Sequence, residues 1–180
     1  HVIEGNHEAP NTVEMAFEQQ KTEGFVNFRL HERNDVQQID GLNFMFSGGA
    51  HCVDNPPIYY RTEFSDKQFL ELMSNWELEQ YPVYMLCTHE TPSGTGLRGN
   101  ENISRIYGLD IENVGSKELG EAWRKIRPRW QVNGHHHVWW YYEEEMEDGM
   151  ILKSLTLPLA MDGFAWLDTD TDELKKFKNK

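Results

Sequence analysis

The stretch that decides the fold is Tyr81-Pro82-Val83-Tyr84-Met85-Leu86-Cys87-Thr88-His89-Glu90. As far as Cys87 it is almost continuously apolar. A strand with one wet face alternates polar and apolar residues; a continuous apolar run belongs to a strand covered on both faces, as in the sheets of α/β proteins. The run then gives way to a histidine and an acid. In such sheets ligands bind beside the loops that leave the strand ends, so His89 stands where an imidazole can serve a site.

Outward from this run, helices and strands alternate early and strands dominate late. The spacing predicts a helix over 11–22 capped by Asn11. Short β-rich segments follow over 25–30, 36–39 and 42–47, with Asp40-Gly41 as a hairpin turn and Gly48-Gly49 closing the run. Residues 65–80 read as the clearest helix, with Ser65 as its cap and Phe69, Leu70, Leu72, Met73 and Trp76 as its apolar stripe. After the 81–87 strand, residues 88–115 form a long Gly- and Ser-bearing loop, a kind of segment that is usually functional or mobile in compact domains. A third helix spans 116–126, stopped by Pro128. Strands are expected over 129–132, 138–146, 150–157 and 164–167, with Asp148-Gly149 as a turn, and a polar turn or helix over 170–178. No repeat or linker divides the chain, so one domain spans 1–180, with sheet packed on sheet in a layered α/β architecture.

Composition narrows the function classes. The 180 residues suit one core-bearing domain, and no apolar run is long enough to cross a membrane as a helix. The net charge of −13 disfavours non-specific binding to nucleic acid or anionic membrane, so a nucleic-acid substrate is not favoured, yet bound cations can reverse the sign at a site. The two cysteines, Cys52 and Cys87, read as buried thiols in a reducing, cytoplasmic setting. The chain opens at His1, with Val2-Ile3 running straight into Gly5-Asn6, and reads as if a strand has lost its start.

Three signals carry chemistry, each where a strand gives way to a loop: Gly5-Asn6-His7-Glu8, Cys87-Thr88-His89-Glu90 and Gly134-His135-His136-His137. Imidazole binds Zn, Mn, Fe and Ni, and an amide oxygen suits harder ions. In an extended segment His135 and His137 point one way and His136 the other, so the outer pair is expected to chelate. Taken singly, each signal has a plain reading. A strand-end histidine is usually a surface residue, and Gly-Asn-His is an ordinary turn. Three of them at separate strand ends argue for a metal site.

These motifs, in this order, resemble the C-terminal three of the five sequence blocks of calcineurin-like metallophosphoesterases. The stretches 46–54 (Phe-Ser-Gly-Gly-Ala-His-Cys-Val-Asp), 88–92 (Thr-His-Glu-Thr-Pro) and 162–168 are similar to small members from bacteria and phages. The resemblance covers nearly the whole chain. It implies a four-layer αββα sandwich, here without its first strands and helix, and a phosphoester hydrolase with a dinuclear centre of Mn, Fe, Zn or Ni, manganese being favoured. Asn6, His89 and His135 would ligate one ion and His137 the other. His7 would act on the scissile phosphate, with Glu8 orienting it. Arg98 and His51 are lesser candidates for substrate contact; the plain reading of Arg98 is a solvated loop residue.

The family's first two blocks, Asp-x-His and Gly-Asp-x-x-Asp, have no counterpart in this sequence. Two ions of four to six ligands each cannot be held by four residues. The reading therefore expects a preceding segment of roughly 60–70 residues, a length in keeping with ordinary domain size, and expects this segment alone to hold at most one ion weakly. The expected substrate is a small or nucleotide phosphodiester. A metal-binding or regulatory module without catalysis, and a mononuclear zinc hydrolase built from His89, His135 and His137, are the alternatives. The Trp139-Trp140-Tyr141-Tyr142 run is expected to pack on both faces of a strand rather than stack a base, and 143–147 to form a solvated acidic edge.

Overall fold

The computed structural model describes residues 3, 10–23, 31–50, 66–79, 82–99 and 114–179. Helix α1 spans Pro10–Glu23, followed by strands β1 (Asp35–Ile39) and β2 (Leu42–Ser47). Helix α2 (Asp66–Glu79) leads to β3 (Met85–Thr88), and α3 (Lys117–Ile126) to β4 (Trp130–Asn133). Strands β5 (Trp140–Glu145), β6 (Ile151–Thr156), β7 (Gly163–Leu167) and β8 (Leu174–Lys178) complete the order.

The chain is an α/β protein built on a six-stranded mixed sheet in the order β1-β2-β3-β4-β6-β5. The inner four strands, β2, β3, β4 and β6, are parallel neighbours. The edge strands β1 and β5 pair antiparallel through tight turns. At the first turn Asp40 (φ 50°) and Gly41 (φ 82°) both take positive φ, the backbone that joins twisted strands in two residues. At the second, Gly149 (φ 81°) lies just before β6.

The parallel register places Met45 beside Leu86, both fully buried on one face. Over them lie Leu72 and Met73 of α2 and Leu119, Ala122 and Ile126 of α3, forming one apolar cluster. The α2 stripe is narrower than expected, because Leu70 is 61 % exposed. Helix α3 shows why sequence signals at its ends are legible. The Ser116 hydroxyl accepts the Leu119 N–H at 3.0 Å, and Arg127, left-handed at φ 56°, donates its N–H to the Trp123 carbonyl.

On β5, Tyr142 lies toward Trp123 of α3, and Glu144 takes a two-pronged hydrogen bond from Arg124. Tyr141 faces the other way, toward Trp130, with Lys176 of β8 above its ring. The aromatic run thus packs on both faces of its strand. Glu143, Glu145 and Glu147 are exposed along the edge strand. The separate β7–β8 hairpin is tied to the main sheet through Asp172 in its turn, which receives hydrogen bonds from Trp130, Lys153 and Arg129.

Several boundaries differ from expectation. Helix α1 begins at Pro10, so Asn11 lies inside its first turn and is not the cap; proline suits that turn because its missing N–H has no helical partner there. The strand after α2 is shorter than its apolar run and begins at Met85. Residues 174–178 form β8, not a helix, because they pair across from β7. The expected 25–30 strand and the Ser65 cap lie outside the described residues. No helix among the described residues is long and apolar enough to cross a membrane.

Candidate metal centre

Parallel pairing of β3 and β4 brings two of the three signals together. Cys87 registers with Val132, so both strands end at the same side of the sheet. There the chain leaves β3 as Thr88-His89-Glu90 and β4 as Gly134-His135-His136. The loops are stitched together, the Gly134 N–H donating to the His89 carbonyl at 3.2 Å and the His89 N–H to the Ser47 carbonyl at 3.3 Å. The His89 and His135 rings meet edge to face at 5.2 Å between centroids, and the His135 and His136 rings at 4.8 Å.

The expected geometry of the triple histidine is not the one found. His135 (φ 57°) and His137 (φ 56°) are both left-handed, so the segment is coiled rather than extended and side-chain alternation does not apply. His137 is exposed. His136 instead turns toward Glu90, its Nε2 lying 3.4 Å from Oε1, while His135 Nε2 lies 3.9 Å from Oε2. The metal-capable atoms of Glu90, His135 and His136 all fall within 4.8 Å of one another. Among the described residues His136 Nε2 is buried without a hydrogen-bond partner.

Glu90 is 2 % exposed, and nothing in the sequence pattern gave it a role. Its Oε1 accepts the Thr91 N–H at 2.8 Å. Beneath it runs a buried polar ladder across the strand ends. Thr91 Oγ1 donates to Asn133 Oδ1 at 2.5 Å, Asn133 Nδ2 to Gln131 Oε1 at 3.0 Å, and Gln131 Nε2 to Thr88 Oγ1 at 2.8 Å. Ser154 of β6 adds a bond to Gln131 Oε1 at 2.6 Å, and Thr88 Oγ1 donates to the Glu90 carbonyl at 2.6 Å. The signal for this ladder was present: Gln131 and Asn133 are two apart in a short strand, so both polar side chains point to one face.

Of the other candidates, Arg98 is exposed in the loop beyond Leu97. Asn6, His7, Glu8 and His51 lie outside the described residues. Close by the site, burial pushes the Cys87 thiol up to about 12, which makes it a poor metal ligand because the thiolate is the binding form.

No family model matches this sequence, and no curated protein matches it significantly. Solved structures do resemble the fold. One superposes with a TM-score of 0.67 at 15 % identity, covering 98 % of this chain and 64 % of its own. The crystal structure of TT1561 of Thermus thermophilus superposes with a TM-score of 0.61 at 15 % identity, covering 98 % of this chain and 70 % of its own. At that identity the likeness is one of fold. The chain spans less than two thirds of the first structure's length.

Proposed function

We propose that this chain belongs to a metal-dependent phosphoester hydrolase of the calcineurin-like class, with the four-layer αββα sandwich and dinuclear centre of that class, acting on a small or nucleotide phosphodiester. The observation that supports this reading best is the convergence of His89, Glu90, His135 and His136 at the shared end of two parallel strands. In this reading Asn6, His89, His135 and His137 supply metal ligands, manganese being the favoured ion. His7 protonates the leaving oxygen, and Glu8 orients it. Bound divalent ions would polarise the phosphoryl group and lower the pKa of water at the site. The buried ladder from Thr91 to Ser154 holds the loops rigid around them, which is what lets fixed charges stabilise a transition state.

A mononuclear hydrolase is the second reading, and the compact Glu90-His135-His136 grouping favours it. Three protein ligands with an open fourth position are the pattern of catalytic zinc.

The experiment is hydrolysis of bis(p-nitrophenyl) phosphate and 2′,3′-cyclic AMP by the intact protein, stripped with EDTA and reloaded with Mn²⁺ or Zn²⁺. Turnover that depends on metal, at two ions or one per chain, supports the dinuclear or mononuclear form. Stoichiometric metal binding with no turnover on either substrate would leave a metal-binding or regulatory module instead.

A further inference from the structure

We infer that the cleft between α1 and the turn leading into β1 binds a small zwitterion of the α-amino acid class.

The cleft has a volume of about 380 Å³, within the range of about 300–1,000 Å³ typical of small-molecule sites. Helix α1 supplies Phe17, Gln20 and Lys21. Spacings of three and four residues set Gln20 and Lys21 beside Phe17 on one helical face. The turn supplies residues 32–35. The lining thus combines two cations, Lys21 and Arg33, with two carboxylates, Glu32 and Asp35, and two amides, Gln20 and Asn34. No described residue that lines it belongs to the candidate metal centre.

That balance of charge decides the ligand class. A simple anion would meet Glu32 and Asp35, and a simple cation would meet Lys21 and Arg33. A molecule bearing both charges satisfies both signs, through the charge-assisted hydrogen bonds that are the stronger kind. Side-chain amides donate to a carboxylate and accept from an ammonium. The Phe17 ring adds one apolar wall for the ligand's own side chain.

The floor of the cleft is built before a ligand arrives, which lowers the ordering cost of binding. Asn34 is buried and left-handed at φ 61°, and its Oδ1 accepts the Ser47 hydroxyl at 3.1 Å. Asp35 Oδ2 lies 2.6 Å from Nδ1 of the buried His31, and Oδ1 accepts the Gln37 amide at 3.0 Å. The His31 ring is stacked on Phe46 at 3.8 Å between centroids. A carboxylate has about four acceptor sites, so Asp35 keeps capacity for an ammonium. Lys21 and Glu32 are exposed and adjustable. The pairing of Lys21 with Glu18 at 3.1 Å is exposed on both sides, a kind of pair that contributes little, so the ammonium can swing to a carboxylate at small cost.

The test is calorimetric titration of the intact protein with L-phenylalanine and L-glutamine. Whichever binds is then compared with its deaminated acid and its decarboxylated amine, each of which keeps one charge. At least one amino acid should bind at one per chain, with the acid and the amine each weaker by about tenfold or more. That factor corresponds to losing one hydrogen bond to a charged group. Lys21→Gln and Glu32→Gln change exposed residues, and circular dichroism checks that both variants fold. Each should weaken binding by a similar factor. Affinity should be the same with and without EDTA. Failure of both amino acids to bind overturns the inference, as does equal binding of the acid or the amine. Insensitivity to both substitutions, or loss of binding in EDTA, would place the ligand elsewhere and overturns it too.

Discussion

Thr91 Oγ1 and Asn133 Oδ1 lie 2.5 Å apart, both residues buried, joining the loop after β3 to the last residue of β4. Asn133 passes the connection on to Gln131, and Gln131 to Thr88 and Ser154. The floor of the candidate centre is therefore polar but paired, in a sheet whose helix-covered face is apolar.

Breaking that floor should cost both stability and site geometry. Asn133→Leu orphans the Thr91 hydroxyl, at about 1–3 kcal/mol, and leaves Gln131 Oε1 with the Ser154 hydroxyl as its remaining donor. Urea denaturation should show a lowered midpoint, and the same variant should bind Co²⁺ more weakly. An unchanged midpoint would mean that the ladder contributes nothing measurable.

Gly115 controls the approach of the same loop to α3. Its φ is +107°, and a Cβ there would sit 2.5 Å from the Thr91 carbonyl oxygen. That carbonyl accepts the Ser116 N–H at 2.9 Å, so no backbone retreat is available without losing the bond. Gly115→Ala should destabilise by ~1 kcal/mol or more. A thermal melt matching the parent protein would refute the close approach.

Asp172 supplies a pH signature. Burial raises its pKa, but hydrogen bonds from Lys153, Trp130 and Arg129 together outweigh it and leave the carboxyl below its ordinary value. A carboxylate with a depressed folded pKa contributes stability that is present above its unfolded value, about 3.9, and lost as pH falls through the folded one. The fall in stability below about pH 4 should therefore be shallower in Asp172→Asn than in the parent. At pH 7 that variant should be less stable by about 1.5–3 kcal/mol, the value of a hydrogen bond to a charged group. Equal stability–pH slopes in both proteins would exclude the linkage.

Cys87 keeps part of its surface accessible, yet burial pushes its thiol up to about 12. At pH 8 only a trace is thiolate, the reactive form. In a Cys52→Ser background, iodoacetamide should label Cys87 slowly until urea unfolds the chain. Labelling at the rate of a free thiol would show that the accessible surface, not the burial, governs this sulfur.

Elements whose signals are local are legible in the order of residues alone. Asp40-Gly41 and Asp148-Gly149 mark turns, because few residues accept positive φ. Ser116 and Pro128 bracket a helix, because capping chemistry sits in the residues that cap. The 81–87 run marked an inner strand, since only double burial tolerates continuous apolarity. It also placed His89 at a strand end. Which donors meet depends instead on contacts across space. Parallel register sets the His89 loop against the His135 loop, and the left-handed backbone at residues 135 and 137 turns His136 toward Glu90. A run of three histidines carries no record of its own φ angles, which are fixed by the loop the chain must close between β4 and β5. The pairing of β8 with β7 was equally hidden, because a strand's partner is a contact across space and its polar, lysine-rich sequence gives little sign of it.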